Sequence, residues 1–265
     1  MHERARTIQW KISKIEGLVH QPPPGNSIAA LPELPASAVA PWWHTALIVA
    51  LLAGGSLLNA RQAHRAALAA HHPQRYLSAI VVEWLLFLLT WWGLRLRRVR
   101  IADLLAFRPG LRALGEDLAA AAVFWILSMI VLAGIGAILH WLHLGTPQRT
   151  LAALAPRNAS EMLLWIALSC SAGFCEEFVF RGYLLRQFSS PIHRLWLGLV
   201  ASSLLFGIGH GYEGAAGMIA IAAYGALFCA LAILFRTLRP GMIAHAWHDI
   251  FSGAMLALAH HFHLL

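Results

Sequence analysis

Charge is scarce in this chain. Of its 265 residues, 12% are Asp, Glu, Lys or Arg and 59% are hydrophobic, with a mean hydropathy of +0.63. A soluble domain carries about 25% charged residues, so a soluble globular protein is excluded. The apolar residues fall in blocks of about 17–25, the length that crosses a hydrocarbon core. These runs are continuous rather than alternating, which excludes the strands of a membrane barrel. The expected fold is all-α, a polytopic helical transmembrane bundle of about seven (six to eight) spans.

Cysteine is almost as scarce. Cys170, Cys175 and Cys229 all lie in apolar stretches and no CxxC is present, so neither a disulfide framework nor a cysteine zinc site is implied. Acidic residues number 12 against 20 Lys and Arg, for a net charge of +8. The excess is mostly arginine outside the apolar blocks, where it orients helices and contacts anionic lipid. The implied partner is the lipid bilayer, and nucleic acid is not expected. The first 40 residues have no apolar core behind their basic start, so no cleaved signal peptide is expected. The helical zinc-protease spacing HExxH is missing too, and no internal repeat is visible.

What is present divides into an arm, residues 1–40, and a helical membrane domain, residues 41–265. The arm holds a possible amphipathic surface helix at 10–19 and the proline-rich linker QPPPGN at 21–26. Pro41-Trp42-Trp43 is an interfacial anchor. Spans are predicted at 44–58, 76–94, 118–142, 162–188, 195–210, 215–235 and 242–263. The arginine-rich connections 95–112, 189–194 and 236–239 then share one side. The Lys/Arg bias makes that side cytoplasmic, with the N-terminus inside and the protein in the cell (inner) membrane. Arg61, Arg65 and Arg75 fall on the other side in this count. Glu83, in the second span, is either a support for a site or a helix–helix contact.

The stretch CSAGFCEEFVFRGYLLRQF, from Cys170 to Phe188, organises the rest. Ionisable groups at bilayer depth are costly and mark functional sites. Glu177 and Arg181 are four apart, so they share a helix face and can pair. Glu176 points about 100° away and is left for another task. One paired acid beside one unpaired acid suits a general base acting on water. The alternative reading of the pair is an ion network tying helices together. Two later spans add Phe206-x-x-x-His210 and His245-x-x-x-Asp249. Glu176, His210 and His245 are a possible metal set, Zn²⁺ being the ordinary ion for His and carboxylate ligands. Without a metal, Glu176 activates water while His210 and His245 stabilise the oxyanion. Asp249 is placed to hold His245 in one tautomer.

These three patterns, in this order, resemble the CPBP family of intramembrane proteases, which includes the CAAX prenyl proteases of the Rce1 type and bacteriocin-processing proteins. The family carries a glutamate pair followed by Arg, a Phe followed by His four on, and a His followed by Asn or Asp four on. The resemblance covers residues 162–251. It implies an endopeptidase near the cytoplasmic face acting on a membrane-associated peptide or protein, with Glu176, Glu177, Arg181, His210, His245 and Asp249 as catalytic residues. Readings from other classes are a proton- or cation-coupled membrane transporter and a noncatalytic membrane scaffold. One geometric tension stands against a shared site. Along their helices from the arginine-rich ends, Glu176 lies about 18 Å in and His210 about 22 Å, but His245 only about 6 Å. Helix tilt, a kink near Gly173 or a later start to the seventh span is expected to close the gap.

Overall fold

A computed structural model describes residues 37–66, 72–144, 154–190 and 194–262. The surface helix at 10–19, the linker at 21–26 and most of the connection 145–160 lie outside the described residues, as do parts of the first connection. The described residues are helical and contain no strand. Helix α1 is Trp42–Ala66, α2 His72–Leu96, α3 Ile101–Leu105, α4 Leu111–Trp141 and α5 Ala159–Glu176. A π-helical segment, Glu177–Leu184, continues α5 without a break into α6, Leu185–Ser189. Then come α7 Leu195–Gly209, a 3₁₀ turn Gly211–Glu213, α8 Gly214–Phe235 and α9 Arg239–His261.

Five stretches are long and apolar enough to cross a membrane: Trp42–Arg61, Pro73–Leu96, Leu111–Trp141, Ala159–Ser189 and Gly211–Phe235. Helix α7 is apolar but shorter, at 15 residues. Helix α9 has the length to span, at 23 residues, but carries Arg239, His245, His248 and Asp249. The architecture is an all-α bundle of a multi-pass membrane protein.

Local sequence explains where the helices start. Asn158 caps α5, its Oδ1 accepting from Glu161 N at 2.9 Å, while Glu161 Oε2 accepts from Arg157 N at 2.9 Å. The two bonds satisfy donors that the first turn leaves open. Pro240 sits in the first turn of α9, where its missing N–H removes no helical bond. Gly110, at φ +95°, turns the chain into α4, a backbone conformation that glycine tolerates best.

The helices close around the π segment, all eight residues of which are buried. Helix α1 packs on α7 and the 3₁₀ turn, α7 on α8, α4 on α8 and α9, α9 on α5, and α5 on α2. At one end the arginines serve as ties. Arg186 donates to the carbonyls of Asp103 and Leu104 at 2.6 and 3.2 Å. Arg108 and Arg239 both reach the buried Asp117, at 2.6 and 3.3 Å. Arg100 donates to Asp103 at 2.8 Å, which holds that carboxyl below its ordinary range. Leu238 N donates to Leu105 O at 3.2 Å, which ties short α3 to the start of α9.

Gly173 marks a close crossing: a Cβ there would lie 2.7 Å from the carbonyl oxygen of Met242. The helix change falls one turn later, at the π segment. π-turns are rare and frequently accompany functional sites.

Candidate active site

Glu176 is the last residue of α5 and Glu177 the first of the π segment. The two acids meet the same imidazole from different sides. His245 Nδ1 lies 3.1 Å from Glu177 Oε1, while His245 Nε2 lies 3.7 Å from Glu176 Oε2 and 3.6 Å from Asp249 Oδ2. Arg181 Nη1 forms an ion pair with Glu177 Oε1 at 2.8 Å. Glu177 and Arg181 are 1% and 0% exposed at their side chains, against 21% for Glu176 and 30% for Asp249. The buried acid is therefore held at hydrogen-bonding distance by Arg181 and His245, whereas the more exposed one only approaches His245. Oε2 of Glu176 has no hydrogen-bond partner among the described residues.

Aromatic rings hold the cations in place. The Arg181 guanidinium lies 4.3 Å from the Phe206 ring centroid and 4.8 Å from that of Phe228, and its Nη2 donates to Gly225 O at 3.3 Å. His245 stacks on Phe228 at 5.2 Å and meets Phe206 edge-on at 6.0 Å. Phe206 also touches His210, at 4.9 Å. Its ring thus links the guanidinium and both histidines.

His210 follows the end of α7, with Nδ1 2.9 Å from Phe206 O. Only a ring N–H can bond a carbonyl, so Nδ1 carries the proton and Nε2 is left for the site. Tyr212 lies beside it, at 5.8 Å between ring centroids.

The gap along the helices closes at the start of α9. A Cβ on Gly182 would lie 3.1 Å from Leu238 Cδ1, so α9 begins level with Gly182 rather than with Ser189. Counted from that level, Glu177 and His245 lie at similar depth on antiparallel helices. The helix carrying the acids simply runs past the start of α9. Gly241 completes the approach: a Cβ there would stand 3.0 Å from Glu177 Oε2.

The sequence spacing offered Asp249 as the group that fixes His245. The hydrogen-bonding distance belongs instead to Glu177, on another helix. Glu83 of α2 lies in the electrostatic field of Glu176, Asp249 and His245. Phe228, Gly241 and Tyr212 were not singled out by the sequence, and no spacing rule marks them. Among the described residues no group of three or more His, Cys, Asp or Glu is placed to hold a metal ion.

Residues 158–251, which hold every one of these groups except Glu83, match the family model described as type II CAAX prenyl endopeptidase, Rce1-like. This segment is similar to that family. It makes up about a third of the chain and runs from the cap of α5 to the fourth turn of α9. Helices α1 to α4 lie outside it. No curated protein and no solved structure matches the chain. The Rce1-like family points to an intramembrane endopeptidase of the CAAX type.

Proposed function

We propose that this chain hydrolyses a peptide bond of a membrane-associated peptide or protein, with Glu176 as the base that activates water. The observation that carries this reading is the division of labour between adjacent glutamates. Glu177 is buried between Arg181 and His245, while Glu176 is 21% exposed and its Oε2, 3.7 Å from His245 Nε2, makes no hydrogen bond among the described residues. A structural ion network would need only the first.

The chemistry follows from the hydrogen bonds. Glu176 takes a proton from water, and the hydroxide adds to the scissile carbonyl carbon. His245 donates Nδ1–H to Glu177, so protonation at Nε2 gives an imidazolium that offsets Glu176 and Asp249 and faces the developing oxyanion. His210 presents Nε2 at the edge of the same cluster and donates to the oxyanion when protonated. Collapse of the tetrahedral intermediate breaks the C–N bond. The proton held by Glu176 passes to the leaving amine, as microscopic reversibility of a general base allows.

A Zn²⁺ ion finds no three-donor set among the described residues, so no step runs through a metal. The positive-inside bias places the arginine-tied end, with Arg100, Arg108, Arg186 and Arg239, in the cytoplasm and the N-terminus with it. The test is cleavage of a membrane-associated peptide by purified protein in detergent or liposomes, with Glu176→Gln and His210→Ala alongside. Activity that survives both substitutions overturns the reading.

A further inference from the structure

Helix α7 ends at Gly209, and the 3₁₀ turn Gly211–Glu213 leads into α8. A helix end leaves backbone donors and acceptors that need partners. One side chain from outside the Rce1-like segment supplies two of them. Ser56 of α1, itself 7% exposed, donates its hydroxyl to the Ile208 carbonyl and accepts from Gly211 N at 3.1 Å. Its two bonds bracket His210. The fit is close: a Cβ on Gly211 would lie 2.4 Å from Ser56 Oγ. Gly211 is not among the residues at positive φ, so the backbone would accept alanine there and the obstacle is the hydroxyl alone.

We infer that Ser56 is a positioning residue for His210. It clamps the Ile208 carbonyl and the Gly211 amide on either side of the histidine, and thereby holds Nδ1–H on Phe206 O and leaves Nε2 for the site. This inference rests on the peptidase reading for its kinetic consequence but not for its geometric one. The hydroxyl does not touch substrate. Its loss lets the turn Gly211–Glu213 shift, and a displacement of about 1 Å at a catalytic group costs up to about 100-fold in rate.

Two measurements test it on the full-length protein. In kinetics, Ser56→Ala is expected to lower kcat about ten-fold with KM changed less than about two-fold, because the interaction acts on the reacting geometry. Gly211→Ala is expected to do the same by pushing the hydroxyl aside. The double variant S56A/G211A is expected to be no worse than S56A, since the clash has gone; residues in contact are non-additive in this way. Multiplying single effects in the double variant overturns the inference, and so does unchanged kcat in S56A.

The second measurement needs no activity. ¹⁵N-histidine NMR, with His210 assigned by its loss in His210→Ala, is expected to show the Nδ1–H tautomer in the parent and a tautomer mixture in S56A. An unchanged His210 signal in S56A overturns the inference. A parent protein that cleaves nothing but shows this tautomer change leaves Ser56 in place and removes only the peptidase reading.

Discussion

Arg181 and His245 meet on a single oxygen: Glu177 Oε1 lies 2.8 Å from the Arg181 Nη1 and 3.1 Å from the His245 Nδ1. Arg181 is the π segment's own cation, one turn after Glu177, and His245 comes from α9 across the bundle. Removing the carboxylate charge would leave a buried guanidinium with no counter-ion. Breaking a buried pair from one side costs about 3–5 kcal/mol. Glu177→Gln is therefore expected to lower thermal stability as well as activity, whereas Glu176→Gln keeps the parent's melting temperature within a few degrees. Thermal unfolding in one detergent checks both.

The close crossing of α5 and α9 gives a second outcome. A methyl at Gly173 would meet the Met242 backbone oxygen at 2.7 Å, and backbone cannot swing aside as a side chain can. Gly173→Ala is expected to destabilise the protein by about 1–3 kcal/mol. At Gly54 nothing lies within 4 Å of an added Cβ. Gly54→Ala is expected to be neutral or slightly stabilising, since alanine is the better helix former by about 1 kcal/mol. Equal melting temperatures for the two variants would contradict the packing described.

How much of this was legible in the sequence depends on the range of the interaction. Continuous apolar runs fixed the helices, because their length and composition are local properties. The spacing of Glu177 and Arg181 gave their pair for the same reason. The partner of His245 was not legible. Its near neighbour Asp249 was the natural guess, while Glu177 reaches it only because Gly173 and Gly241 let two helices touch. The ruler along the helices erred because it equated chain ends with one plane, and α6 extends beyond the start of α9. The π segment leaves no mark in composition. Ser56 was hidden for another reason: a lone serine in an apolar span carries no pattern, and its role exists only where α7 ends against it.

The donor geometry also bears on metal dependence. His245 directs both nitrogens at carboxylates, and no three-donor group is placed for an ion among the described residues. Cleavage is expected to persist after exhaustive dialysis against a chelator. Loss of activity that Zn²⁺ restores, at a stoichiometry of one ion per chain, would overturn the metal-free chemistry proposed for Glu176.

The most direct measurement is the rate of cleavage of a membrane-associated peptide by the purified parent and by Glu176→Gln. General-base catalysis contributes about 10²–10⁴-fold. The account predicts that the parent cleaves and that Glu176→Gln, with an unchanged melting temperature, falls by at least about 100-fold. A folded Glu176→Gln variant that cleaves at the parent's rate would contradict it.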